Sequence, residues 1–296
     1  MSDSPQKTER TQLVVPPGDS TTFRVLRGLY QDKVPRSPQL FGVSLAFTLF
    51  AVFISLQFFA RYAGMVSVFF AVLGLQPTFQ ILLDRHKGKV AEHQQKKRSA
   101  KGAHWRLVHG LLSLFLGMLA AYSGYAMFLG YEKIEEIFVP QLGPWIGLGQ
   151  PQFALHDLRF IVLNNLGVAL GIFVLTLLYR LGGALLVLAW NASVWGILFV
   201  YFASTQSNGS DFALDIYLLG IVFALPHIVF EALAYIAAVL AGIMLFRWIV
   251  RSDEDKIKQR GLGKVVFYLL GGAILSTLIG AFLEVRLAPM FLSFLS

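Results

Sequence analysis

The sequence predicts an all-α, polytopic membrane helix bundle with about seven spans and one half-helix or re-entrant segment before Pro226. Of the 296 residues, 56% are hydrophobic and only 14% are charged, and the mean hydropathy is +0.63. This composition lies outside the range of ordinary soluble domains. The apolar residues also form runs of about 20, which is the length that a helix needs to cross a bilayer core about 30 Å thick. Lipid is therefore the expected environment of most of the chain.

Seven apolar runs reach the length of a membrane span. They lie at about residues 40–60, 63–83, 108–130, 160–179, 182–203, 229–250 and 265–283. Only Arg61 and Tyr62 separate the first two runs, so these are expected to form a tight helical hairpin, and Arg180 marks a similar turn between the fourth and the fifth. Tyr131 to Asp157 is expected to form an irregular cap, and Glu284 with Arg286 an interfacial pair.

The stretch from residue 214 to residue 250 is apolar for long enough to make two minimal crossings. Two crossings would place the next basic linker outside, against the charge rule for membrane proteins. Proline removes a backbone donor and clashes with the preceding helical turn. We therefore expect a half-helix from Leu214 to about Leu225, a break at Pro226 that faces the bundle interior, and one full span after it.

The basic residues predict the orientation, because lysine and arginine beside a span are retained on the cytoplasmic side. With the amino terminus inside, only four of the 25 cations lie outside, namely Arg61, Lys133, Arg159 and Arg286. We therefore expect a cytoplasmic amino terminus, an external carboxyl terminus and a location in the cell membrane. We interpret the net charge of +8 as the result of cations that are retained on the cytoplasmic side of the membrane. No nucleic-acid partner is expected.

The order of charges and spans divides the chain into four regions. We expect a partly disordered cytoplasmic tail, an amino-terminal transmembrane hairpin, a basic cytoplasmic linker and a transmembrane core. In order, these regions are residues 1–39, 40–83, 84–106 and 107–296. The start of the tail has too few apolar groups to offset the entropy of ordering its backbone.

Five polar side chains within the predicted spans are candidate functional residues, because such groups are costly in lipid and need a partner or a task. They are Asn164, Asn165, Asn191, His227 and Glu231. His227 and Glu231 are four residues apart and share one helix face. One interpretation is a structural clamp, in which Glu231 accepts hydrogen bonds from His227 and from the asparagines of neighbouring spans. The other is a proton or metal site.

A metal site would need more ligands than His227 and Glu231. The sequence offers Asp215, His156 and Asp157 as additions. The clamp is favoured, because isolated polar pairs inside membranes usually find structural partners. The chain has no cysteine, which excludes a thiol nucleophile and a cysteine zinc site, and no cofactor is expected.

The fourth predicted span contains Gly167 and Gly171 at the GxxxG spacing that lets membrane helices approach closely. Asn164 shares their face, because residues three and four apart stack on a helix. This face is a candidate helix–helix contact.

Several segments together suggest a family. They are Phe160 to Phe173 with its two asparagines, Asn191 with Gly196, and Leu225-Pro226-His227 followed by Glu231, Ala232 and Gly242. In these residues the chain resembles the stage II sporulation protein M family of bacterial and archaeal membrane proteins, over about residues 105–290. Ile228 stands where that family usually has glycine. The resemblance implies an anchor for partner enzymes of envelope remodelling, with residues 1–104 as an addition.

Three functions follow from these features. The first, favoured over an enzyme, is a non-catalytic scaffold or assembly factor in membrane or cell-envelope processes, surrounded by lipid and bound to membrane-protein partners or to copies of itself. The sequence contains no P-loop and no GxSxG motif. The second is a transporter or lipid translocator that uses the broken helix with His227 and Glu231. The third is an intramembrane metal-dependent hydrolase.

Overall fold

The computed structural model describes residues 36–96, 101–146, 158–179, 181–206, 214–250 and 261–295. Within these ranges the chain forms nine α-helices and no strand, which confirms the predicted all-α bundle. The helices are α1 (Ser37–Phe59), α2 (Ala63–Gln95), α3 (Lys101–Phe128), α4 (Tyr131–Ile137), α5 (Val139–Ile146), α6 (Leu158–Tyr179), α7 (Leu181–Gln206), α8 (Leu214–Val250) and α9 (Leu262–Leu295).

Six helical stretches of the described chain are long and apolar enough to cross a membrane. Their mean hydropathy lies between 1.6 and 2.3. The first stretch, Ser37–Val90, contains both α1 and α2, which pack against each other across a 3-10 turn at Ala60–Tyr62. The other five correspond to α3, α6, α7, α8 and α9. By length and composition, the chain is a multi-pass membrane protein.

The prediction of a half-helix that ends at Pro226 is wrong. α8 is continuous from Leu214 to Val250, and Pro226 lies inside it. The proline is on the exposed side of the helix, whereas its neighbours Ala224 and His227 are buried against the bundle. Proline removes only the backbone hydrogen bond to Val222, and packing of the flanking residues keeps the helix intact.

The amino-terminal hairpin shares one hydrophobic core with α3 and with the later helices, and buried side chains from α1 to α8 belong to it. α1 and α3 approach closely at Gly117. A Cβ atom at that position would lie 2.5 Å from the carbonyl oxygen of Phe41 and would also meet the Oγ atom of Ser44. Glycine therefore sets the distance between these two helices.

The predicted irregular cap is helical over residues 131–146, and residues 147–157 lie outside the described ranges. Ile134, Phe138 and Leu142 follow one another at a spacing of four residues, and all three are fully buried. This stripe covers the end of the bundle at which the α1–α2 turn lies. A hydrogen bond joins this helical cap to the start of α2, because the Nε2 atom of Gln141 donates to the carbonyl oxygen of Gly64 over 2.8 Å.

The remaining long helices form the part of the bundle that contains the polar residues. α9 packs mainly along α8, while α6 contacts α7, α8 and α9. The described part of the predicted basic linker is also helical, because α2 continues to Gln95 and α3 begins at Lys101. α6, α7 and α8 contact one another pairwise, and these contacts bring several of the candidate residues to one region.

Candidate functional site

The central contact of the candidate site joins α6 to α8. The Nδ2 atom of Asn165 donates a hydrogen bond of 2.6 Å to Oε1 of Glu231. Both side chains are buried, with 6% of Asn165 and 3% of Glu231 exposed. Nδ2 of Asn164 donates in turn to Oδ1 of Asn165 over 3.1 Å. The two amides and the carboxyl group thus form a short hydrogen-bonded chain between the helices.

Small residues allow the helices to come this close. At Gly242 of α8, a Cβ atom would lie 2.9 Å from both the carbonyl oxygen of Phe173 and the Cβ atom of Thr176 on α6. On the other side of α8, a Cβ atom at Gly280 of α9 would lie 3.4 Å from Cγ of Glu231. Glu231 is therefore enclosed between α6 and α9, with an amide as its hydrogen-bond donor.

His227 does not take part in this hydrogen-bonded chain. Its side chain is 6% exposed, and neither ring nitrogen has a hydrogen-bond partner among the described residues. The imidazole lies against the indole of Trp195, with 5.2 Å between the ring centroids and an angle of 57° between the planes. His227 shares a helix face with Glu231, but no hydrogen bond joins the two side chains. His227 is thus a buried polar group whose hydrogen-bonding capacity is unused.

Asn191 is satisfied within its own helix. Its Nδ2 atom donates to the carbonyl oxygen of Val187 over 2.8 Å, one turn earlier in α7. This local bond gives one N–H of the amide a partner within α7. The structure therefore brings Asn164, Asn165 and Glu231 together by hydrogen bonds and leaves Asn191 outside that group.

The residues proposed for a metal site do not converge. Asp215 is exposed in the first turn of α8, roughly 18 Å from His227 along the helix axis at 1.5 Å per residue. His156 and Asp157 lie outside the described ranges. Throughout the part of the chain that the structure describes, no group of three or more histidine, cysteine, aspartate or glutamate residues could hold a metal ion.

No family model, curated protein or solved structure matches this chain. The resemblance to the stage II sporulation protein M family therefore stays a prediction. The structure adds one side chain to the candidate residues that were predicted from the sequence.

That residue is Glu284, which was predicted to be part of an interfacial pair. It lines a cavity between α7, α8 and α9, together with His227 and a wall of aromatic rings. About 30 Å³ of this cavity can be reached by the centre of a water molecule, which is enough space for bound water. Glu284 is half-buried and follows the buried residues Thr277 and Ala281 at helical spacing on α9. That helical spacing is the signal in the sequence that could have placed it inside the bundle.

Proposed function

We propose that the chain is an integral membrane scaffold or assembly factor of the cell membrane, which binds other membrane helices and catalyses no reaction itself. The observation that supports this role is the outward face of α6. Asn164 and Gly167 are exposed there and Gly171 is half-buried. A Cβ atom added at either glycine would meet no atom within 4 Å. At both glycines the GxxxG face is thus uncovered by any other described part of the chain.

The outward face of α6 carries polar groups with which lipid chains cannot form hydrogen bonds. An asparagine amide has two N–H groups and a carbonyl oxygen, and hydrocarbon can bind none of them. Asn164 uses one N–H in its bond to Asn165. Glycines let a second backbone approach closely, and an amide beside them can form a hydrogen bond across the new contact. The face therefore fits a transmembrane helix that has small residues and a polar side chain.

The interior of the bundle supports a binding role over the third alternative, the metal-dependent hydrolase. A catalytic metal needs about three protein ligands and an open position for water. The described residues contain no such ligand group. The buried carboxyl group of Glu231 is bound to an amide donor from another helix, as expected for a contact that holds helices together.

The resemblance to the stage II sporulation protein M family supports the same role. It implies a membrane anchor for partner enzymes of envelope remodelling, and the open face of α6 would be the contact for such partners. Transport is the alternative function, and it is favoured by the cavity that reaches His227. Flux measured in proteoliposomes, with His227→Ala as the comparison, distinguishes transport from scaffolding.

The proposal predicts which surface of the chain touches other proteins in the membrane. A photo-crosslinking amino acid in place of Leu163, which is 70% exposed beside Asn164, is expected to capture a transmembrane protein or a second copy of the chain. The same amino acid in place of Phe50, 62% exposed on α1, is expected to capture lipid. Mass spectrometry of the crosslinked species gives the result.

Substitution of the two glycines tests whether the captured helix occupies their face. Gly167→Leu with Gly171→Leu is expected to lower the crosslinked fraction by about tenfold, the change that corresponds to ~1.4 kcal/mol of binding free energy. Gly42→Leu is the matched control, because Gly42 is also exposed and has no atom within 4 Å of its Cβ position. Equal crosslinking in all variants, or lipid adducts alone at residue 163, would rule out the proposed contact.

The proposed orientation has a separate test, which uses the absence of cysteine from the sequence. Single substitutions Ser4→Cys and Ser296→Cys place one thiol at each end of the chain. A membrane-impermeant maleimide added to intact cells is expected to label Ser296→Cys and to leave Ser4→Cys unlabelled until the cells are opened. The opposite pattern would reverse the topology.

A further inference from the structure

We propose that the cavity between α7, α8 and α9 is a binding site for a primary ammonium group attached to an apolar chain, and that His227 and Glu284 bind the ammonium. This site lies in the interior, away from the open face of α6. The inference goes beyond the scaffold role and does not depend on it.

The cavity has a polar end and an apolar wall. His227 and Glu284 supply the polar groups. The aromatic rings of the wall contact one another, with centroid distances of 5.6 Å between Trp195 and Phe199 and 5.3 Å between Phe202 and Phe291. The centre of a water molecule can reach about 30 Å³ of the whole cavity, so the cavity accepts a small polar group and a thin chain rather than a bulky ligand.

His227 is the observation that points to a ligand. Its side chain lines the cavity, is only 6% exposed, and has two ring nitrogens without partners among the described residues. A buried polar group without a hydrogen bond costs free energy. A ligand that forms a hydrogen bond with the imidazole recovers this loss, so the unpaired ring favours binding.

The neighbouring groups select a cation with N–H donors. A neutral imidazole offers one acceptor nitrogen, and the carboxyl group of Glu284 offers acceptor oxygens. A second carboxyl group, that of Glu231, lies against α9 one helical turn before Glu284, because an added Cβ atom at Gly280 would lie 3.4 Å from its Cγ atom; two neighbouring carboxyl groups disfavour an anion. Aromatic rings attract cations through their faces. A primary ammonium has three donors and one positive charge, which match these acceptors.

The rest of the cavity suits an apolar chain. On α8, its lining residues Ile216, Gly220 and Ala224 lead up to His227 at helical spacing, over roughly 16 Å at 1.5 Å per residue. At Gly220 the missing side chain leaves room for a methyl-sized group, because an added Cβ atom would make ordinary contacts of 3.7 Å with Phe291 and 3.8 Å with Phe199. The ligand would therefore place its ammonium between His227 and Glu284 and its chain towards the beginning of α8.

The test uses the full chain in phosphatidylcholine nanodiscs and three probes of equal chain length. Calorimetric titration is expected to show saturable binding of n-hexylammonium and much weaker binding of n-hexanol, which lacks the charge. N,N,N-trimethylhexylammonium, which has the charge but no N–H donor, is expected to bind at least about tenfold more weakly than n-hexylammonium. Equal binding of hexanol and hexylammonium would overturn the proposal, because the cavity would then be selecting only for the apolar chain.

Variants assign the binding to the named residues. Glu284→Gln and His227→Phe are each expected to weaken hexylammonium binding by about tenfold or more. Glu136→Gln removes an exposed carboxylate elsewhere and is expected to have no effect. Gly220→Leu fills the cavity without removing a polar group and is expected to block binding, which keeps the test decisive if a polar variant does not fold. Equal affinity in Glu284→Gln, Gly220→Leu and the control would contradict the site.

The source of the ammonium can be a free amine or the head group of an aminophospholipid. Phosphatidylethanolamine added to the nanodiscs competes with hexylammonium in the second case and leaves its affinity unchanged in the first. Either result supports the ammonium site, provided that the Glu284→Gln and Gly220→Leu effects are present.

Discussion

Replacing Asn165 by leucine is expected to lower the free energy of unfolding of the bundle by about 2 kcal/mol, because the buried carboxyl group of Glu231 loses its amide donor. The bond between them is short, at 2.6 Å, and crosses from α6 to α8. The measurement is reversible unfolding of the purified chain in mixed micelles, with increasing denaturing detergent.

Asn191→Leu is the matched control for this experiment. It removes an amide of the same size from the neighbouring helix α7, but that amide bonds only to Val187 in its own helix. We expect a loss of less than about 1 kcal/mol, in the range of an ordinary hydrogen bond. The double substitution Asn165→Leu with Glu231→Leu is expected to recover part of the loss, because no buried carboxyl group is left without its donor. Equal effects of Asn165→Leu and Asn191→Leu would show that the contact between α6 and α8 is not a clamp.

Replacing Gly117 by valine is expected to abolish the folded monodisperse protein. A Cβ atom there would press on the backbone of α1 at Phe41 and on the side chain of Ser44, and backbone atoms cannot turn away as a flexible side chain can. Overpacking of this kind costs about 1–3 kcal/mol when the surroundings relax and more when they cannot. Size-exclusion chromatography of a fluorescent fusion measures the folded fraction.

Gly124→Val provides the comparison, because Gly124 lies two turns later in α3 and has no atom within 4 Å of its Cβ position. We expect this variant to fold like the parent. Normal folding of Gly117→Val would mean that the hairpin is separate from the rest of the bundle, rather than packed against α3.

The spans were predictable because a segment in hydrocarbon must satisfy its backbone hydrogen bonds internally, so that length and composition are enough to indicate a helix. The continuity of α8 was not predictable in this way. Whether Pro226 breaks the helix depends on the packing of its neighbours, and Ala224 and His227 are held in place by helices that are distant in sequence. A local signal was outweighed by tertiary contacts.

The candidate site was partly predictable for a related reason. The cost of a carboxyl group in lipid indicated that Glu231 needs a donor from another helix, and Asn165 is that donor. The sequence could not show that Asn191 bonds within α7, because the choice depends on a side-chain rotamer. Glu284 was misplaced because the last span was ended at the first charge after an apolar run. α9 in fact continues to Leu295, which leaves Glu284 well inside the helix.

The unbroken α8 has a mechanical consequence. Its 37 residues extend about 55 Å at 1.5 Å per residue, nearly twice the roughly 30 Å of a bilayer's hydrocarbon core. Trp248, exposed near the end of the helix, is the type of side chain that anchors at the interface. In a bilayer, a helix of this length has to tilt or to project beyond the hydrocarbon core.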